Sequence, residues 1–230
     1  MDDGPQYSDH DAAIWHTRAM LQSLADGRPE TLPHVPTTFP PGLGAVDGGE
    51  RVLARGPFQL LTFRPIGDGT VQSGGRGFFF AAGRGGLAAT AAVAGYRALA
   101  DRNRRQAAAE DAVPRWVVDA AGTAFVSTHG VYLDTGHALL PWAWPHVDSM
   151  ELAAPGAVHL RGRSEQGPVS WIIRSDWAEL AFVLWCLARH PAHPQLASGG
   201  WIPAGWPERE ARRLGAPPRP RLGPGSSDDA

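Results

Sequence analysis

The stretch that decides the fold covers residues 124–191 and reads AFVSTHGVYLDTGHALLPWAWPHVDSMELAAPGAVHLRGRSEQGPVSWIIRSDWAELAFVLWCLARHP. Its first part alternates short β-branched and aromatic runs with glycine, proline and polar turn residues, which predicts four or five short strands arranged in hairpins. An apolar segment at residues 176–189 follows, and its periodicity predicts a helix. The rest of the chain is therefore expected to be organised around an antiparallel sheet and one C-terminal helix.

The predicted helix 176–189 is apolar almost all round. One stripe of large side chains can face the sheet, but Phe182, Val183 and Leu187 fall outside that stripe. A helix of this kind is buried on more than one side. We expect a second cover from the N-terminal helix, an Ala-rich helix, the segment 201–206 or a second subunit. The spacing of Asp176 and Glu179 predicts a capping box at the start of the helix.

The strand predictions extend the sheet in both directions along the chain. Residues 51–66 predict two short strands or one bent strand, because Gly and Pro interrupt the run. Residues 115–119 and 124–127 predict two separate strands joined by a turn at 120–122, and the second pairs with residues 131–135 in a hairpin. The remaining predicted strands are an edge strand at 138–144, a strand at 147–152, and a hairpin formed by 158–161 and 169–174.

The segments on either side of the sheet domain are predicted to be a helix and extended arms. Residues 8–25 predict an amphipathic helix capped by Ser8, with Asp9 and Asp11 in its first turn. The prolines between residues 29 and 41 predict an extended arm. The predicted organisation is thus an N-terminal helix and Pro-rich arm at 1–46, a sheet domain at 47–191 with an insertion at about 70–113, and a C-terminal arm and disordered tail at 192–230.

Composition narrows the class of protein. Of the 230 residues, 43% are hydrophobic, which is enough for a sizeable core. The net charge of −2 argues against a nucleic-acid partner, because proteins that bind nucleic acids usually carry an excess of basic residues. The single cysteine, Cys186, cannot form an intrachain disulfide and is expected to be a small buried apolar residue. The polar first residues lack a secretory signal, and the longest apolar run is too short for a bilayer span, so the expected location is the cytoplasm.

Several segments resemble a known family. The residues Glu50-Arg51-Val52-Leu53 resemble the first strand of GRAM-type domains of the pleckstrin-homology-like superfold. The runs FVSTHGVYL at 125–133, WAWPHV at 142–147 and GPVSWI at 167–172 resemble the later hairpin and strands of those domains. The blocks FVSTHG and SDWAEL also resemble an uncharacterised bacterial family, which implies no activity.

The resemblance implies an α+β fold, with a bent antiparallel sheet or partial barrel closed by the C-terminal helix and interrupted by an inserted Ala-rich helix. Domains of this kind bind phosphoinositides, peptides or partner proteins, or serve as scaffolds. No residue here matches a defined lipid-binding motif. We therefore expect a binding or scaffolding module without catalysis or cofactor, whose partner is a protein, a second copy of the chain or a membrane surface.

A Gly-rich turn supports a rival hypothesis. Gly83, Gly85 and Gly86 follow an apolar run and open the Ala-rich helix, as in dinucleotide-binding turns, where the backbone approaches a pyrophosphate. Asp119 ends the next predicted strand and could bind a ribose, although it lies further along the chain than the usual spacing of about 20 residues. The alternative function is therefore a nucleotide- or dinucleotide-binding enzyme.

Two sets of residues are candidates for partner contact. A basic set could form a patch for a membrane or another anionic ligand, or simply a solvated helix face, and it comprises Arg76, Arg84, Arg102, Arg104 and Arg105. Trp142 and Trp144 are two residues apart and would share one face of a strand. The sequence does not decide whether that face is an exposed recognition surface or part of the core.

The sequence predicts no catalytic and no metal-binding residue. Four histidines, His129, His137, His146 and His159, lie in the hairpin region, but a site would need three ligands or acid–base groups to converge, and no metal-binding spacing is present. Ser127 beside Thr128 and His129 does not predict a hydrolase, because neighbouring residues of a strand point to opposite faces.

Overall fold

The computed structural model describes residues 7–44, 49–65, 112–164 and 167–215. The chain divides into two compact units, one formed by residues 1–61 and 119–230 and the other by residues 62–118. In the smaller unit the described residues belong to two strand segments, where the rings of Phe63 and Trp116 lie 5.5 Å apart. The Gly-rich turn, the Ala-rich helix and all five arginines of the predicted basic patch lie outside the described residues, as does the tail from residue 216.

Seven antiparallel strands form one sheet. They are β1 (Val52–Arg64), β2 (Arg115–Ser127), β3 (Gly130–Asp134), β4 (Leu139–Ala143), β5 (Val147–Ala154), β6 (Ala157–Ser164) and β7 (Gly167–Arg174). Their spatial order is β4-β3-β2-β1-β7-β6-β5. In the part of the chain that is described, the sheet is not closed, and β4 and β5 are its edges. The predicted α+β class and antiparallel sheet are confirmed.

Two predicted strands are one continuous strand. The turn predicted at residues 120–122 is wrong, because β2 runs through it from Arg115 to Ser127. Gly122 has another purpose: a Cβ there would lie 2.0 Å from the carbonyl oxygen of Asp134, so only glycine lets the end of β3 come this close. Gly56 likewise lies inside β1, where a Cβ would be 2.8 Å from the indole of Trp177.

The edge strand β4 is protected by its proline. The Trp144 amide donates to the His129 carbonyl at 2.9 Å, so residues 129 and 144 form a hydrogen-bonded pair. Such pairs alternate along an antiparallel ladder, which makes Tyr132 and its partner Pro141 a non-hydrogen-bonded pair. The missing N–H of Pro141 therefore falls on the open edge, where it discourages pairing with another strand.

The opposite edge is covered by a side chain. The amide of Gln195 donates from Nε2 to the Leu152 carbonyl and accepts at Oε1 from the Leu152 amide, both at 3.0 Å. A single side chain thus satisfies the outward backbone groups of β5 as a neighbouring strand would. Both edges of the sheet carry a device against strand addition.

Four helices surround the sheet in the described ranges: α1 (Asp9–Ala25), α2 (Ala178–Arg189), α3 (Pro194–Ala197) and α4 (Trp206–Arg213). Ser8 caps α1 as predicted, and its side chain accepts from the Asp11 amide at 3.1 Å while the Asp11 carboxylate accepts from the Ser8 amide at 3.0 Å. The capping box predicted for α2 is wrong. That helix begins at Ala178 after Trp177, without a side-chain cap, because Glu179 turns inward and is only 1% exposed.

The chain's own arms cover the second face of α2. The buried core around α2 includes Ile14 and Met20 from α1 and Trp201 and Trp206 from the C-terminal arm. Cys186 is fully buried there, as predicted, and burial raises the pKa of its thiol to about 12. None of the helices described is both long enough and apolar enough to cross a bilayer.

The Pro-rich arm packs on the outer face of the sheet. Phe39 contacts the rings of Phe125 and Tyr132, with centroids 5.1 and 4.9 Å apart. The Val35 amide donates to the Val52 carbonyl at 2.8 Å, which aligns the arm along β1. The arm therefore covers a second, smaller apolar cluster on the face opposite α2.

Candidate functional site

An open cleft of about 660 Å³ lies where several segments of the larger unit meet. Its walls come from the start of α1, the middle of β1 and β2, the β5–β6 turn and the end of β7. We call it the end cleft. Its lining includes His10, Gln59, Pro155, Gly156, Arg174 and Asp176. Main-chain bends and polar side chains thus meet at one concave surface.

One buried carboxylate builds a wall of the end cleft. Glu179 Oε1 accepts from the Gly156 amide at 2.7 Å, and Oε2 accepts from Nε2 of His10 at 3.0 Å. The Gly156 carbonyl in turn accepts from the Ser175 amide at 2.9 Å. Gly156 has a φ of +68°, a conformation that favours glycine, so the turn depends on both its residue type and the acid behind it. Glu179 therefore fixes α1 and the β5–β6 turn to the same point.

The same carboxylate controls the charge of His10. Its hydrogen bond with Glu179 raises the pKa of the imidazole above the ordinary value, against the opposing effect of burial. The negative charges of Glu179, Asp176 and Asp11 raise the pKa further. His10 is therefore protonated over a wider pH range than an exposed histidine.

This pKa shift predicts a pH-dependent stability. The folded state binds the His10 proton more tightly than the unfolded state, so the stabilisation is fully present below the ordinary pKa of 6.5 and is lost as the pH rises through the raised value. Urea unfolding at a series of pH values measures it, with His10→Gln as the comparison. The two proteins should differ most in acid and converge in alkali, and parallel curves would contradict the assignment.

Arg174 supplies an exposed positive charge to the end cleft. Its side chain is exposed and makes no hydrogen bond or ion pair with any residue the structure describes. Asp176, which lines the same cleft, is also without such a partner in the described ranges. The cleft therefore presents a guanidinium and a carboxylate to solvent, and both can bind groups of opposite charge.

A largely buried ion pair between Asp11 and Arg209 also positions the start of α1, which lines the end cleft. Oδ1 of Asp11 accepts from Nε and Nη2 of Arg209 at 2.9 and 2.7 Å. Burial raises the pKa of Asp11, but hydrogen bonds from Arg209 and Ser8 outweigh that effect and hold it below its usual value. This ion pair links α4 to the first turn of α1, and so positions the turn that carries His10.

A polar cluster beside the β2–β3 turn has a different role. Glu50 accepts from the hydroxyls of Ser127 at 2.5 Å and Tyr132 at 2.9 Å, and from the Leu43 amide at 2.8 Å. Ser127 is fully buried, so its hydroxyl cannot reach a substrate. The cluster fastens the Pro-rich arm to the sheet, and beside it Oγ1 of Thr128 lies 2.9 Å from Nδ1 of His129.

Three polar side chains meet on the outer face of β5, β6 and β7. Nε2 of His159 lies 2.8 Å from Oγ of Ser170, and Nδ1 lies 3.3 Å from Oε1 of Glu151. His159 is 12% exposed, whereas the Glu151 side chain is 55% exposed. The face is open to solvent, and the imidazole lies between a hydroxyl and a carboxylate.

The residues predicted as sites are placed elsewhere. Trp142 and Trp144 are 5% and 2% exposed, so they form no recognition surface. Trp142 makes an edge-to-face contact with Trp171, with ring centroids 5.0 Å apart, and Trp144 belongs to a 3-10 turn rather than to a strand. Asp119 lies inside β2, whereas a ribose-binding acid is expected at the end of a parallel strand. Among the described residues, no three potential metal ligands come together.

The residues that do meet were missed for identifiable reasons. The spacing of Glu179 from Asp176 predicts a helix cap and so hides its role as a buried acceptor. The pairing of His159 with Ser170 needs the register of β6 and β7, which the alternating pattern does not give. No signal in the sequence brings His10 of the first helix to Glu179 of the second.

The sequence matches no protein-family model, no curated protein and no solved structure. The geometry of the described sites therefore carries the functional argument.

Proposed function

We propose that the end cleft of this chain is a non-catalytic binding site that receives a carboxylate-bearing segment of a partner protein. The observation that carries the proposal is the exposed guanidinium of Arg174, which pairs with none of the described residues and lines a 660 Å³ cleft. Ligand sites commonly have volumes of about 300–1,000 Å³. The planar guanidinium binds carboxylates with two parallel hydrogen bonds. The proposal includes the GRAM-type relationship and a cytoplasmic location.

The charges of the end cleft favour a peptide over a membrane surface. Anionic membranes attract clusters of four to eight basic residues, at about 1 kcal/mol for each. The described lining instead combines Arg174 with Asp176, and His10 is paired with Glu179. This balance suits one carboxylate next to polar peptide groups, and it disfavours a polyanionic surface.

Replacing Arg174 by glutamine should weaken peptide binding by about tenfold or more, since a charge-assisted hydrogen bond contributes about 1.5–3 kcal/mol. Peptides are first selected from a random library displayed on phage, and their affinity is measured by fluorescence anisotropy. Arg163→Gln is the matched control, because its side chain is 82% exposed and lies on β6 outside the cleft lining.

Chemical-shift mapping with the selected peptides locates the site. The proposal requires shifts at Gln59, Gly122 and Gly156, and a preference for acidic peptides. Peptides that bind without perturbing these residues, or equally well to Arg174→Gln, would overturn it. Binding to anionic vesicles in place of peptides would support the membrane alternative, and a concentration-dependent mass in light scattering would support self-association.

A further inference from the structure

Two serines lie on the outer face of β5–β7, and only one of them, Ser170, contacts a histidine. Ser149 and Ser170 are both direct cross-strand partners of Arg161, one from each side. Glu151 is the direct partner of His159, which brings the carboxylate and the imidazole to the same face. Of the two serines, Ser170 has its hydroxyl within hydrogen-bond distance of the imidazole.

The carboxylate decides which nitrogen of His159 carries the proton. Nδ1 faces Oε1 of Glu151 at 3.3 Å, and a carboxylate can only accept a hydrogen bond. The neutral imidazole therefore holds its proton on Nδ1 and presents the lone pair of Nε2 to the hydroxyl of Ser170. This is the tautomer that removes a proton from a serine, with the carboxylate orienting the ring.

We propose that Ser170 is a reactive nucleophile, activated by His159 and Glu151, that is acylated by small activated esters. Oγ of Ser170 attacks the ester carbonyl carbon while Nε2 of His159 takes the hydroxyl proton. The bond from the carbonyl carbon to the leaving oxygen breaks, and the alcohol leaves with that proton. The product is an acyl-serine, which water hydrolyses to the free acid with His159 again acting as the base.

The guanidinium of Arg161 provides a positive charge on the strand position opposite Ser170. It projects from the position directly opposite Ser170, and its Nη2 lies 3.8 Å from Oε1 of Glu151. A cation here can stabilise the negative charge that develops on the carbonyl oxygen. Because Arg161 is equally opposite Ser149, it does not by itself distinguish the two serines.

The experiment treats the whole chain with p-nitrophenyl acetate and follows both p-nitrophenol release and the acetylated peptide by mass spectrometry. We expect acetylation of Ser170 about 100-fold faster than that of Ser149, the lower end of the range for general-base assistance, because the face is open to water. Ser170→Ala should abolish the initial burst, Ser149→Ala should leave it intact, and His159→Gln should slow it by a similar factor.

The outcomes separate reactivity from folding. Circular dichroism checks that each variant retains the native spectrum, which is expected because the face is exposed. Glu151→Gln should slow the acetylation of Ser170 and shift the pH dependence of its rate. If Glu151 served only in packing, neither the rate nor its pH dependence would change. Equal acetylation of Ser149 and Ser170, or a burst that survives Ser170→Ala, would overturn the proposal. Neither result bears on the end cleft, so the two proposals fail independently.

Discussion

Replacing Trp206 by alanine is expected to lower the free energy of unfolding by about 3–5 kcal/mol, the usual range for a large aromatic residue in a core. Trp206 is fully buried, and its Nε1 donates to the Asp11 carbonyl at 2.9 Å. The guanidinium of Arg18 lies 5.2 Å from the ring centroid. The truncation therefore leaves a cavity and removes both the hydrogen bond to Asp11 and the cation–π contact. Urea denaturation followed by circular dichroism measures the loss.

Trp15→Ala is the control for the Trp206 prediction. Its side chain is 41% exposed and belongs to the same helix that Trp206 covers. Substitutions at such surface positions change stability by about 0.5 kcal/mol or less. Equal losses for the two variants would show that the C-terminal arm does not form part of the core.

The second large effect is expected at Glu179. Alanine there leaves the protonated imidazole of His10 and the Gly156 amide without their acceptor, and breaking a buried ion pair in this way costs about 3–5 kcal/mol. The loss should be greatest at acidic pH, where His10 is charged. Stability is measured by urea unfolding at several pH values.

Two further variants test the cause of that loss. Glu179→Gln keeps an oxygen that accepts from Gly156 but removes the charge next to His10, so it should recover part of the stability and weaken its His10-linked pH dependence. Glu30→Ala is the control, because Glu30 is an exposed acid whose side chain makes no hydrogen bond in the described structure. A Glu30 variant as unstable as Glu179→Ala would contradict the buried-pair explanation.

The sequence predicted those elements whose signals are local. The cap at Ser8 and the hairpins around residues 128–130 and 164–167 follow from residue types only a few positions apart. The apolar surface of α2 correctly predicted a second cover, but the sequence could not choose among the candidates. That choice depends on contacts between α1 and the arm carrying Trp201 and Trp206, which are distant in the chain.

The errors arose where a residue type has two physical uses. Gly122 reads as a turn, yet it permits a close backbone approach inside a strand. Glu179 reads as a cap, yet it is a buried acceptor. Trp142 and Trp144 are tryptophans, a residue type found both in protein cores and on recognition surfaces, and here both are buried. Only the tertiary neighbours of each residue decide between such uses.

The pairing of the first helix with the last has a consequence for protein synthesis. The bond from Trp206 to Asp11 joins residues 195 positions apart, and the Arg209–Asp11 pair spans 198. Closing so long a loop carries a large entropic cost before these contacts form. On the ribosome, α2 is translated before the arm that covers it. The growing chain therefore carries an incompletely covered apolar helix until the arm with Trp201 and Trp206 has also emerged, and this interval is when it most needs a chaperone.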